Sequence, residues 1–179
     1  MTEPTTEVMA RTGRGTEAET EGGATVALEW GAAMEMTSKG GFFWLTTLRP
    51  DGAPHVRPLF AVWVDSRLYL SSNRQARKAR NLVGDGRCTI TAGVEELHLV
   101  VEGDARRVED EATLQRVVEA YDDTYGWPTT IVGDQLDAPF AAPTSGGPPF
   151  DVWEITPTMA YGFPATGETF APTRWRFTG

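Results

Sequence analysis

Cysteine is almost missing from this sequence: Cys88 stands alone among 179 residues. An internal disulfide is therefore excluded, and a reducing compartment is the simple expectation. Histidine is nearly as scarce, with only His55 and His98. Neither lies at metal-ligand spacing from the other or from Cys88, so no metal site is expected. His55 reads as a structural or exposed histidine, with contact to a bound ring or substrate as the alternative. Lysine is limited to Lys39 and Lys78. No long apolar run is present in the middle of the chain: residues 59–64 are continuous apolar sequence, against roughly 20 residues for a membrane-spanning helix. The N-terminus lacks the apolar core of a secretory signal. No membrane partner is expected, and the chain reads as cytoplasmic. The serines are not set in a G-x-S-x-G elbow, which argues against a serine nucleophile.

What remains is an ordinary globular composition, 40% hydrophobic and 23% charged, with a formal net charge of −9. The acidic balance disfavours nucleic acid as a partner, since phosphate backbones attract broadly basic surfaces. Residues 1–23 are rich in Thr, Glu and Gly and poor in apolar groups, so a disordered tail is expected there. Residues 24–179 are read as one domain.

Periodicity and turn residues divide that domain. A short helix is predicted within 24–37, and a strand over 42–48, closed by the turn Pro50-Asp51-Gly52. The strand at 55–64 contains Pro58, which lacks an N–H, so an edge, bulge or break is expected near it. A strand at 67–72 follows, then a basic helix at 74–83 ended by Gly84-Asp85-Gly86. Strands at 88–94 and 97–108 precede an amphipathic helix at 109–125. Residues 127–149 hold five prolines and three glycines, and read as a long loop, either a lid over a pocket or a surface wrap. Strands at 150–156, 159–163 and 174–177 complete the chain. At least six strands with hairpin links, apolar on both faces, imply a closed antiparallel barrel with helices packed around it.

Chemistry concentrates between residues 54 and 82. Around it, over residues 67–87, Arg67, Arg74, Arg77, Lys78, Arg80 and Arg87 stand against the single acid Asp85. Ser71 and Ser72 end a strand just before a helix, where hydroxyls, amides and the helix dipole favour an anion. Arg57, on the neighbouring strand, reaches the same end of the sheet. The pattern describes a phosphate seat, with a solvated basic face as the bland alternative.

Arg57-Pro58 on one strand, Ser71-Ser72 ending another, and Ala76-Arg77-Lys78-Ala79-Arg80-Asn81-Leu82 resemble the pyridoxamine 5′-phosphate oxidase-like split-barrel flavoproteins. The sequence is most similar to the actinobacterial branch, whose members use FMN or the deazaflavin F420. Phe43-Trp44-Leu45-Thr46-Thr47, Pro50-Asp51-Gly52 and Thr173-Arg174-Trp175-Arg176-Phe177 extend the likeness over roughly residues 41–177. The resemblance implies a mainly β fold, a six-stranded antiparallel split barrel with two to four packed helices. It also implies a homodimer with cofactor sites in its interface. Phosphate contacts would fall on Arg57, Ser71, Ser72, Arg77 and Lys78, with Asn81 bracing the helix or reaching the cofactor. The flat ring would lie along Arg57, Pro58, Leu59 and Phe60, and Arg174 and Trp175 would approach from the partner subunit. Arg74, Arg80 and Lys39 would form a track for the acidic tail of F420, which slightly favours F420 over FMN; the alternative is that the same residues are simply solvated.

The implied activity is hydride transfer between F420 or FMN and a small organic substrate, with no catalytic side chain. The alternative is a non-catalytic carrier of a cofactor or tetrapyrrole on the same fold. The full set of basic residues that would grip a substrate phosphate is absent, so the named oxidase activity itself is not expected.

Overall fold

In the computed structural model, residues 3–9, 26–141, 146–166 and 169–178 are described. The elements run β1 (Thr5–Val8), α1 (Trp30–Thr37), β2 (Phe43–Leu48), β3 (Pro54–Leu59), β4 (Ala61–Val64), β5 (Arg67–Asn73), α2 (Arg77–Gly84), β6 (Arg87–Gly93), β7 (Leu97–Val108), α3 (Glu111–Tyr125), β8 (Thr130–Val132), β9 (Gln135–Asp137), β10 (Phe150–Pro164) and β11 (Thr173–Arg176). All strand ladders between them are antiparallel.

The long strands β7 and β10 pair from Leu97↔Pro164 to Val108↔Val152. The register shifts between Pro157 and Met159, where the proline cannot donate to the ladder and the strand bends. Two separately predicted strands, 150–156 and 159–163, are thus one strand with a kink. Its other edge changes partner across that kink. Phe150–Ile155 pairs with β5, and Met159–Gly162 with β11.

The barrel runs β3-β2-β6-β7-β10-β5-β4. β3 and β4 are consecutive in the chain, yet no ladder joins them among the described residues. The break falls at Phe60, two residues beyond Pro58. Helix α3 fastens it from outside. Tyr125 Oη lies 2.9 Å from Gly41 O and 3.0 Å from Ala61 O, and Tyr121 Oη donates to Phe60 O at 3.4 Å. The helix itself begins where Asp110 accepts from the Thr113 amide and ends at Gly126 in the left-handed conformation, as capping rules favour.

Alternation along the strands fills two cores. The barrel interior holds Leu45, Leu68, Leu70, Ile90, Leu99, Trp153, Ile155 and Trp175. A second core, between the opposite face and α3, holds Val62, Tyr69, Leu114, Val117, Tyr121, Leu136 and Val152. The architecture is the expected one: mainly β, an antiparallel split barrel, with three helices among the described residues.

Three expectations change in detail. Within the supposed tail, Thr5–Val8 is a strand on β11. The edge of β11 offers unpaired backbone groups, and Arg174 pairs with Glu7 across the ladder; the tail's residues 10–23 lie outside the described residues. Helix α1 begins only at Trp30, because the preceding segment is extended and Ala27 bridges Ala171. The loop at 127–149 contains the hairpin β8–β9, and β9 pairs with β10. Leu136 is fully buried and Trp127 nearly so. Burial of one such leucine favours the packed state by about 1.5–3 kcal/mol, so residues 127–141 form a wall of the second core; residues 142–145 lie outside the described residues. No helix among the described residues is long and apolar enough to cross a membrane.

Candidate cofactor site

Among the described residues the edge strand β3 pairs only with β2, with Thr47 opposite His55 and Leu45 opposite Arg57. Helix α2 covers this corner. Asn81 donates from Nδ2 to Thr47 Oγ1 at 2.9 Å, pinning the helix to β2. The connecting turn is tight: the Arg49 amide donates to Ala53 O, the Gly52 amide to Arg49 O, and the Ala53 amide to Asp51 Oδ1. Gly52 has φ +82, a conformation that glycine adopts without steric cost. This turn swings Arg49 back beside His55.

Together these elements enclose a cavity of about 460 Å³, lined by Arg49, Pro50, Asp51, His55, Arg57 and Arg77. That lies within the range of roughly 300–1,000 Å³ typical of small-molecule sites. Lys78 lies behind it, 8% exposed, with no hydrogen-bond or ion-pair partner among the described residues. Burial, then the Arg57 charge, holds its ammonium below the usual lysine range. His55 is 5% exposed, and its Nδ1 has no partner. Burial first, then Arg57, Arg49, Arg77 and Lys78, pushes the imidazole below its ordinary range, so it is neutral near pH 7. Helix α2 opens at this corner with no side chain capping its first turn, leaving amide donors beside the cations. The arrangement concentrates positive charge where only Asp51 opposes it, and an anion would relieve that repulsion.

The basic island of the sequence separates into two groups. Arg67 pairs with Glu154, Arg74 with Asp151 through Nε at 3.1 Å and Nη2 at 2.9 Å, and Arg87 with Asp85. Arg77 and Lys78 remain with the cavity, and Arg80 is exposed on α2. The imagined track of Arg74, Arg80 and Lys39 loses Arg74 to Asp151, an acid buried on β10 that also accepts from Arg107 and Gln135.

The expected site residues fall in several places. Arg57, Arg77 and Lys78 converge. Ser71 and Ser72 point to opposite faces of β5, as strand alternation requires. Ser72 is buried, its hydroxyl donating to Asn73 O at 3.3 Å, while Ser71 bonds to Tyr121 in the second core. Neither lines the cavity. Asn81 braces the helix. Pro58 and Leu59 continue β3 away from the cations, and Phe60 stands at the barrel's split. There Phe60 stacks with Phe42 at 5.3 Å and with Tyr125 at 4.2 Å, and it is partly exposed.

Trp175 does not fit a cofactor contact. It is fully buried, donates from Nε1 to Leu28 O at 3.0 Å and packs edge-on against Trp30. It is a core residue because β11 closes over α1 on the barrel's inner side. Arg174 is held by Glu7 of β1. Two residues of the cavity were not among the expected cofactor contacts: Arg49 escaped the sequence reading, and His55 was read as structural or exposed in preference to a contact with ring or substrate. The signal for Arg49 was present in the Pro50-Asp51-Gly52 turn, which must return the chain beside the next strand.

The sequence profile of the pyridoxamine 5′-phosphate oxidase family matches residues 31–163. No curated protein matches the sequence. Among solved structures, a NimC/NimA family protein from Clostridium acetobutylicum superposes with a TM-score of 0.59 at 16% identity, over 83% of this chain and 92% of its own. The FAD binding protein from Mycobacterium smegmatis gives 0.54 at 17%, over 78% and 98%. An F420 reductase gives 0.50 at 19%, over 70% and 93%. At these identities the structural matches speak for the shared fold, while the profile spans most of the barrel and its site. The chain belongs to the pyridoxamine 5′-phosphate oxidase family of split-barrel proteins.

Proposed function

We propose that the protein is a flavin-type oxidoreductase that holds F420 or FMN by its phosphate in the cavity between β3 and α2. The observation that carries this reading is a cation cluster at one corner: Arg57 and Arg77 line the cavity, Lys78 is buried close to Arg57, and none of the three has an acid partner among the described residues. The donors fit a phosphate: two guanidiniums, one ammonium and the uncapped start of a helix. The ring would lie from Arg57 along Pro58 and Leu59 toward the Phe60 stack. Bound there, the cofactor itself supplies the hydride chemistry. The residues of this chain supply position, charge and exclusion of water, and no side-chain nucleophile is assigned.

A homodimer belongs to this reading. Trp44 and Val56 are about half exposed on the outer face of β2 and β3, with Phe42 exposed beside them. Apolar area of this kind on a sheet marks an interaction surface, and a second copy would cover it and wall the ring. The substrate is then a small organic molecule admitted between the subunits.

Titration of the purified protein with F420 and with FMN, followed by fluorescence, tests the proposal. Binding of either at micromolar concentration, weakened by Lys78→Met, is the expected result. Binding without turnover against any donor and acceptor pair would identify a carrier, and binding of haem alone would displace the flavin-type reading. A protein that is monomeric by light scattering and insensitive to Trp44→Glu would remove the dimer.

A further inference from the structure

A phosphate held by Arg57, Arg77 and Lys78 leaves the turn side of the cavity unexplained. That side carries Arg49 and His55. His55 is deeply buried, and Nδ1 is a polar atom with no partner. Such atoms are uncommon in folded proteins and call for a ligand or a role. The charge count points the same way. Arg49, Arg57 and Arg77 line the cavity and Lys78 lies close to Arg57 and His55, four positive charges against Asp51, whose carboxylate already accepts from the Ala53 amide. One singly charged phosphodiester would leave this corner strongly cationic.

We propose that Arg49 and His55 form a second anion position beside the phosphate seat, so that the ligand's anionic end carries two acid groups. One is the phosphate; the other is a second phosphate or a carboxylate. The inference rests on the proposed phosphate seat and adds the class of ligand that fills it. His55 is surrounded by Arg57 on its own strand, Arg49 and Asp51 on the turn, and Arg77 and Lys78 on α2, and its backbone carbonyl accepts from the Thr47 hydroxyl on β2. In the free protein burial first, and then these cations, keep the imidazole neutral. An acid group at the second position offsets them, and a protonated imidazole then donates to it. Filling the second position therefore raises the pH at which His55 titrates.

The chain's two histidines make this directly readable. In a His98→Gln background, with His98 exposed on β7, the remaining imidazole resonance belongs to His55. Its titration midpoint is followed by NMR from pH 5 to 9, alone and with inorganic phosphate, pyrophosphate or 2-phosphoglycolate, and affinities are measured by calorimetry. At least one two-acid probe is expected to bind ten times more tightly than phosphate at pH 7 and to move the midpoint upward. Arg49→Gln should remove that advantage while keeping phosphate affinity. Preference for pyrophosphate assigns a diphosphate end, and preference for 2-phosphoglycolate a phosphate with a carboxylate. Equal affinities with an unmoved midpoint, and binding still weakened by Lys78→Met, would overturn the second position and leave the seat standing. Failure of all three probes to bind would overturn both.

Discussion

Lys78 should contribute to ligand binding and to stability with opposite signs. The ammonium sits at 8% exposure with no acid partner, next to Arg57. In the free protein this is an uncompensated charge removed from water, which disfavours folding. With a phosphate in the cavity it becomes a charge-assisted donor. Lys78→Met keeps most of the stem's apolar volume and removes only the charge. Loss of the phosphate contact costs roughly 1.5–3 kcal/mol, a weakening of cofactor binding of about 10- to 150-fold. Removal of a functionally retained, unfavourable group stabilises the free protein by about 0.5–2 kcal/mol. For a chain of this size each kcal/mol moves Tm by about 2–4 °C. Fluorescence titration and a thermal melt of the same preparation read both quantities. The pH dependence adds a check. Because the folded-state pKa is lowered, the unfavourable contribution is fully present below it and fades as pH rises toward the unfolded lysine value. The stabilising effect of Lys78→Met should therefore shrink as pH rises through the lowered value and vanish above the unfolded lysine value, about pH 10.4. A variant that binds cofactor within twofold of the parent, or that melts lower, would refute the reasoning.

Asp151→Asn removes a buried acceptor shared by Arg74, Arg107 and Gln135, and should cost about 2–3 kcal/mol in urea unfolding at pH 7. Burial alone would raise the Asp151 pKa, but bonds from Arg74 and Gln135 and the charge of Arg107 lower it overall; its contribution is therefore present above the ordinary carboxylate range and is lost as pH falls through the lowered value, so parent and variant should converge in acid. Gly103→Ala would place a Cβ 2.3 Å from Thr156 O, a backbone atom on the neighbouring strand. The clash should cost about 3 kcal/mol or more, visible as a lower urea midpoint. Cys88 is buried, and burial with the nearby Asp104 pushes its thiol up to about 12; a thiol reagent at pH 8 should label it only when the protein is unfolded.

The helical and strand content was readable because each element carries its own period. The spacing of Leu114, Val117, Tyr121 and Tyr125 is visible without the rest of the molecule, and so is alternation along 97–108. The cation cluster of the candidate site was readable in part. Arg57, Arg77 and Lys78 are brought together by a strand and a helix whose order the sequence displays. Ser71 and Ser72 misled because adjacency in a strand means opposite faces, and which face meets the cavity depends on the barrel's closure. Arg67, Arg74 and Arg87 looked available because their acids lie elsewhere or were counted as a single residue; Glu154 and Asp151 approach only through the β5–β10 ladder. Trp175 is buried by α1 and β1, elements whose docking leaves no local periodic mark.

The change of partner along β10 sets an order on synthesis. Residues 43–108 carry β2 to β7, but β5 has no partner on its far edge until Phe150–Ile155 emerges. The barrel therefore cannot close while the ribosome is still making the first 150 or so residues. Until then the nascent chain holds two half-built cores and a strand edge open to pairing with other chains. The ladders that finish the fold join residues far apart in sequence, Leu70 to Trp153 and Glu7 to Arg174, which predicts slow, late and cooperative closure. Truncation just before Phe150 should yield a protein that aggregates, with no smaller folded barrel in its place.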